Sequence, residues 1–430
     1  MQPGAKRLRT PYSASGDILS YTATSSARDA AYQWQNYPSV ARVENLLDTY
    51  TVYPRFRIFR LNPDETVKEE IPPEDVQLGG SYSENYQSGQ RRTLSFTLLN
   101  EDGNYTPGIN SLWLGAKFSL EIGMAVPDSE LDEVLWFSKG IYVLTNASPS
   151  RDTENKTVSV ELADKFNIFE GKSGVIPSSY EIPVGSVIED VFEDILNYNN
   201  GDGYPLDPKP MIYHSSFKGK VTQQTISEQA GATWGSVMLK LAEQLSAEIF
   251  YNAEGNLTVV PKVEVTNDGD KPVLYNFVDA NGDFINNSLS FSMNDVVNRV
   301  IVIGANVNGG TCQAIAANDD PASPLCYQRI GYRTGDVIND SNITSNILAQ
   351  ERADYELRKV LILKTTMSNT IYFNPLLSVN NLITVSDNEF DLSRERFLLQ
   401  SISFSLDFSG TMSISSTNIK NLPFATRQGG

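Results

Sequence analysis

Residues 88–124 read SGQRRTLSFTLLNEDGNYTPGINSLWLGAKFSLEIGM, and their periodicity decides the fold class. Leu94, Phe96 and Leu98 alternate with Thr93, Ser95 and Thr97. Alternation at period two puts apolar side chains on one face of a half-buried strand. The stretch NEDGNYTPG then supplies the Asn, Asp, Gly and Pro that chain reversals favour. Phe118, Leu120, Ile122 and Met124 repeat the alternation. The pattern extends both ways. In TVYPRFRIFRL, Phe56 and Ile58 share one face and Arg55 and Arg57 the other. GIYVLTNAS and KTVSVEL follow downstream, with LGGSYS and SRDTENK as further turns. Many short alternating strands joined by Gly, Asn and Asp turns predict a sandwich or barrel over residues 46–180.

The period changes over residues 181–265. In IPVGSVIEDVFEDILNY, Val184, Val187, Ile188, Val191, Phe192, Ile195 and Leu196 recur at helical spacing. Ser186 and Glu189 stand at capping-box spacing, and Asn200-Gly201 with Pro205 marks the stop. A second helix is expected in TWGSVMLKLAEQLSAEI, with Trp234, Val237, Met238, Leu241, Ala242 and Leu245 on its apolar face. It leads into a hairpin, AEIFYNAEGNLTVVP, turning near Asn252 to Asn256. This is a small α+β module.

Residues 266–430 return to strands in NSLSFSM and VVNRVIVIGA. A polar loop excursion is expected over 305–340, then a helix over 342–361 with Ile343, Ile347, Ala353, Leu357 and Leu361 on one side. NNLITVSDNEF, RERFLLQSISFSL and GTMSISS close the chain as strands. The order KFSLEIG, GIYVLTNAS, TVSVEL parallels NLITVSD, RFLLQSISF, TMSIS. The parallel suggests two similar barrels separated in sequence by the α+β module. Residues 1–45 differ: Lys6, Arg7, Arg9, Arg28 and Arg42 outnumber Asp17, Asp29 and Glu44, and no period is visible. They read as an extended N-terminal arm whose loss, residues 1–45 together, is expected to leave folding intact.

Composition excludes several classes. Of 430 residues, 52 are acidic and 34 basic, a net charge of −18. A nucleic-acid reader needs basic patches to displace counterions, and an anionic membrane repels such a chain. MQPGAKRLRT has no apolar run behind its basic residues, so no signal peptide is expected. Four-residue aliphatic runs such as Val300 to Ile303 fall far short of the ~20 that span a membrane. Cys312 and Cys326 read as free thiols of a reducing compartment, a bridge across their loop being the other reading.

No catalytic set emerges. His214 is the sole histidine and lies near no nucleophile motif. The carboxylate pairs Asp190–Glu193, Glu69–Glu70 and Asp132–Glu133 read as solvated faces of an acidic chain. The Asp/Gly stretches at 100–105, 199–207 and 279–284 lack EF-hand spacing and read as turns. Catalytic, cofactor-binding and metal residues are therefore all expected to be absent. Trp113 and Trp136 suit core packing better than stacking on sugars.

The ordered motifs resemble one family. LSFTLLN, LGAKFSLEIG, the run Trp136-Phe137-Ser138-Lys139-Gly140-Ile141-Tyr142-Val143-Leu144, the helix IPVGSVIEDVFEDIL, WGSVMLKLAEQLSAEIFYNAEGNLTVV, VVNRVIVIGA and AQERADYELRK are similar, in that order over roughly residues 46–425, to baseplate hub and tail-tip proteins of tailed bacteriophages. The resemblance implies a mainly β (α+β) chain with two tube-type β-barrel domains, 46–180 and 266–430, around a module at 181–265. It implies a non-enzymatic virion structural protein, a homotrimer whose six barrels join a hexameric tail tube protein to a threefold spike or central tip protein. Other baseplate proteins would surround it. Phage DNA would pass its lumen without specific binding and without membrane insertion by this chain. The expected place is the tail baseplate of the virion, assembled in the host cytoplasm. The rival readings are a carbohydrate-binding adhesion protein and a polysaccharide-degrading enzyme of the tail tip. For the hub, the acidity implies carboxylates facing the lumen, since they would keep DNA from sticking.

Overall fold

The computed structural model describes residues 54–421 except 109–110, 127–132, 154, 200, 202, 263–272, 292, 308–309, 341–342, 344 and 361, and adds Val43, Leu46 and Leu47. Of the expected arm, Val43 alone falls within this range. The chain is mainly β. The first β unit contains β1 (Pro54–Leu61), β2 (Val67–Glu70), β3 (Val76–Asn85), β4 (Arg92–Leu99), β5 (Lys117–Ala125), β6 (Val134–Arg151) and β7 (Lys156–Asp164). Its inward side chains are those of the period-two pattern: Leu94, Phe96, Leu98, Phe118, Leu120 and Ile122 are all buried.

A middle module follows, with α1 (Phe166–Glu170), β8 (Tyr180–Ile182), α2 (Ile188–Leu196), β9 (Ile212–Tyr213), β10 (Ile226–Glu228), α3 (Trp234–Gln244), β11 (Ala247–Tyr251) and β12 (Leu257–Pro261). It has its own core, built on Phe192, Ile195, Val237, Leu241, Ile249 and Val259 among others. α3 starts where expected, its Thr233 hydroxyl accepting from the Ser236 N–H. α2 departs from expectation. Val187 caps it without a side-chain bond, and Ser186 instead donates to the Pro183 carbonyl at 2.8 Å. The capping box therefore does not form, and Val184 lies outside the helix and exposed.

The second β unit comprises β13 (Val273–Val278), β14 (Phe284–Phe291), β18 (Ile362–Tyr372), β19 (Leu382–Asp387), β20 (Leu392–Leu406) and β21 (Thr411–Asn421). An insert between β14 and β18 holds β15 (Arg299–Val307), β16 (Gly310–Ala317), α4 (Tyr327–Ile330), β17 (Ile338–Asn339) and α5 (Asn346–Val360). The polar loop expected over 305–340 is thus partly sheet. In β16, Cys312, Ala314 and Ala316 point inward and Thr311, Gln313 and Ile315 outward. The alternation is real, but its inward residues are small, so the apolar signal is faint. On α5, Ala349, Ala353 and Leu357 form the buried face, four residues apart, while Ile347 faces solvent at 74% exposure.

The two β units have one strand plan. In chain order β1, β3, β4, β5, β6 and β7 match β13, β14, β18, β19, β20 and β21. Across the sheet the orders are β3-β4-β7-β6-β5-β1 and β14-β18-β21-β20-β19-β13. One pairing differs in sense: β1 runs antiparallel to β5, whereas β13 runs parallel to β19. The long strands β6 and β20 each bulge twice. The first bulge sets two residues against one, at Lys139–Gly140 opposite Leu120 and at Ser393–Arg394 opposite Ser386. Each holds one residue with positive φ, Gly140 at 126° and Arg394 at 53°. The second follows Leu144 against β7 and Leu399 against β21.

The units are separate in sequence but joined in space. Gly80–Asn85 of β3 pairs antiparallel with Leu406–Ser401 of β20, making one thirteen-stranded sheet. Glycine at position 80 fits a crowded place beside both neighbours, because a Cβ there would lie 2.5 Å from the Ser95 carbonyl oxygen of β4 and 3.1 Å from Leu406 Cδ1 of β20. Tyr82 and Phe404 stack across the joint with centroids 4.5 Å apart, and one apolar core runs through both units. Among the described residues no helix is long and apolar enough to cross a membrane.

Candidate functional site at the three-way junction

Buried charges gather where the two β units meet the middle module. A charge removed from water needs a counter-charge and a full set of hydrogen bonds. Glu248 on β11 meets that need with groups from both units. It accepts from Arg91 Nη2 at 3.0 Å, from the Tyr86 hydroxyl, and from Asn380 Nδ2 at 3.0 Å. Tyr86 and Arg91 come from the turn between β3 and β4, and Asn380 from the turn before β19. One carboxylate, 2% exposed, thus touches all three parts of the molecule. The Arg91 guanidinium also covers the Phe250 ring, 3.7 Å from its centroid. Burial lowers the Arg91 pKa, and the carboxylate of Glu248 opposes that effect.

A second cluster centres on Lys165, just after β7. Its ammonium donates to Glu65 at 2.9 Å, to Asp207 at 2.5 Å and to the Gly255 carbonyl at 2.9 Å. Lys117 reaches the same Glu65 at 2.8 Å, and the Tyr251 hydroxyl donates to Asp207 at 2.6 Å. Asp164 accepts from the backbone N–H groups of Arg91, Arg92 and Phe166. Burial nevertheless raises its pKa. Arg92 bridges to Glu84 at 2.6 Å and donates to the Tyr251 carbonyl at 2.5 Å.

The Trp136–Leu144 run folds into this junction. Its first bulge turns Ser138 toward the Ala253 carbonyl (2.6 Å) in the module's hairpin. It turns Lys139 toward the second β unit, where the ammonium donates to the Pro375 and Leu377 carbonyls at 2.7 and 3.3 Å. The Lys139 pKa is lowered to about 8, chiefly by burial, against an opposing pull from Glu84. Tyr142 donates to the Lys139 carbonyl at 2.5 Å and its ring lies against Gly140, where a Cβ would sit 3.0 Å from the hydroxyl oxygen. Trp136 faces outward, under the Arg57 guanidinium at 3.8 Å.

The residues weighed from sequence lie elsewhere. His214 accepts from the Ser216 N–H through Nδ1 and packs edge-on to Phe217. Asp190 and Glu193 sit on the exposed face of α2. Glu69 pairs with Arg60 at 3.1 Å and Glu70 lies 3.7 Å from Arg57. Asp132 falls outside the described residues. The Asp/Gly stretches are turns: Asn100 accepts from the Tyr105 N–H, Asn199 from Gly201, and Asp283 from Val278. Trp113 is half exposed, so neither it nor Trp136 belongs to a core cluster, contrary to expectation. Cys312 and Cys326 are both free and buried. Among the described residues no group of three or more His, Cys, Asp or Glu could hold a metal ion.

No family model matches the chain, and no curated protein matches its sequence. Solved structures do. The 43 kDa tail protein of prophage MuSo2 from Shewanella oneidensis superposes with a TM-score of 0.53 at 16% identity, covering 85% of this chain and 98% of that one. A tail protein from Neisseria meningitidis MC58 gives 0.52 at 10% identity over 85% and 97%. The chain shares its fold with these tail proteins. The Francisella PdpA-VgrG complex supplies a further neighbour, with a TM-score of 0.52 at 11% identity, over 100% of this chain and 67% of that one. At such identities the likeness lies in the strand plan and not in matched side chains. At the junction the described charged groups hold one another across the three parts of the molecule.

Proposed function

We propose that the chain is a structural hub of a phage-type tail baseplate. The observation that carries this reading is the repeated strand plan. A chain with two like β units, fixed by one hydrogen-bonded joint, gives six like units when three copies close around an axis. Such a ring meets a sixfold tube protein on one side and a threefold spike or tip protein on the other. The buried junction supports the reading, because a ring needs each pair of units held at one angle. The likeness to tail proteins supports it at the level of fold.

The ring would let DNA pass. Three copies would carry three times the net charge of −18, and contact with DNA would be brief and unspecific. No retention on duplex DNA is expected at physiological salt; tight binding there would overturn the lumen reading. Size measurement and negative-stain imaging, with the tube protein present, test the ring itself. A threefold ring is expected. A monomer that forms no ring with that partner would overturn the hub reading.

A further inference from the structure

The β3·β20 joint has a counterpart that stands open. The strand equivalence sets β14 in the place of β3, and β6 in the place of β20. Register extends this to residues. Leu144 pairs with Leu162 just before the second bulge of β6, as Leu399 pairs with Ser416 in β20. Leu162 faces Leu94, which faces Tyr82; Ser416 faces Met367, which faces Leu289. Ser81–Glu84 (SYSE) therefore corresponds to Ser288–Phe291 (SLSF), and Ser401–Leu406 (SISFSL) to Asn146–Arg151 (NASPSR). Within the chain the first member of each set lies against the other. Among the described residues, β14 pairs with β18 alone, and Asn146–Arg151 pairs with β7 alone. Ser288, Ser290 and Phe291 are exposed, as are Ser148, Pro149 and Ser150.

We propose that β14 of one copy pairs antiparallel with Asn146–Arg151 of the next, in the register of the β3·β20 joint. Ser288 then lies opposite Ser150, Leu289 opposite Pro149, Ser290 opposite Ser148 and Phe291 opposite Ala147. The occupant is a second copy of this chain, because the chain already makes this joint once between its own two units. The two edges belong to different surfaces, so the contact is heterologous, the kind that closes a ring when the rotation per step divides a full turn. The side chains suit it. Serines meet serines on one face, and on the other Phe291, 48% exposed, gains cover from Ala147. No like charges oppose. Pro149 removes one donor, as a proline on a sheet edge can without breaking the strand. This inference rests on the ring reading and assigns its contact.

The test is a cysteine pair, S148C with S290C, in the full chain. Directly opposed residues bring Cβ atoms close enough for a disulfide. Mild oxidation should convert the monomer band on a non-reducing gel into covalent oligomers up to the ring. S83C with S403C, opposed within one chain, is the control: it should link without changing mass, and shows that the geometry accepts the bond. F291D, added to that control pair, should dissociate the ring while the internal link still forms. A ring seen by imaging whose S148C/S290C variant stays monomeric on the gel would overturn this contact and leave the hub reading intact. No ring at all, with the tube protein present, would overturn both.

Discussion

At the scale of single residues, Glu248 and Lys139 divide the junction between them. Glu248→Gln keeps the size and some hydrogen bonds but leaves Arg91 buried without its counter-charge. Loss of about 3 kcal/mol is expected, read as a lower denaturation midpoint. Lys139 acts through pH. Its folded pKa of about 8 lies below its ordinary value of 10.5, so the unfolded chain binds the extra proton between those limits. Stability should therefore rise with pH from about 8, by up to about 3 kcal/mol in all. Buried Tyr82, Tyr142 and Tyr251 oppose it above pH 10: burial raises their pKa values, so the unfolded chain loses those protons first. The clean window is thus pH 8 to 10. Denaturation midpoints across it should climb in the wild type and climb less in Lys139→Met, the remaining slope belonging to Lys209, whose pKa burial also lowers. None of this was legible in sequence. Glu65, Lys165, Asp207 and Glu248 lie far apart along the chain, and only the fold brings them together. The one available signal was Lys139, a charge set inside a run of strand residues beside a glycine.

At the scale of elements, legibility followed the size of the inward side chains. The strands bearing Leu94, Phe96 and Leu98, and Phe118, Leu120 and Ile122, alternate large apolar with polar residues. Their face could be read directly. β16 alternates as strictly, yet Cys312, Ala314 and Ala316 are too small to separate it from a loop. The helix α2 was visible through its apolar period, but its start was not. Ser186 finds the nearer Pro183 carbonyl, and its N–H lies 3.1 Å from the Thr222 hydroxyl, so tertiary contacts displace the local cap. The paired bulges were hidden because Gly140 and Arg394 share a positive φ and not a residue type. Phe404 is the element-level weak point, touching Tyr82, Phe56 and Phe373 from both units. Phe404→Ala should cost about 3–5 kcal/mol, and calorimetry should show the two β units melting in separate steps.

At the scale of the whole molecule, the sheet makes the chain one object despite the four apolar clusters among its described residues. Even the N-terminal segment is tied in. Val43 and Leu47 are buried against Met124, Leu135 and Phe137 of the first unit and Leu376 of the second. Removing residues 1–45 therefore takes away a core side chain, which the sequence did not show. A truncation ending at residue 47 should be about 3 kcal/mol less stable than one ending at residue 42, as read by urea midpoints. The joint between the units also sets an order of events during synthesis. Gly80 leaves the ribosome 326 residues before its partner Leu406. At roughly 5–20 residues per second, the β3 edge waits about 15–65 s for its mate. For that interval the first unit is folded on one side and unpaired on the other, a strand edge offered to any passing chain. The serines and the left-handed Gly79 along that edge are then what keeps a half-made chain from pairing with the wrong strand.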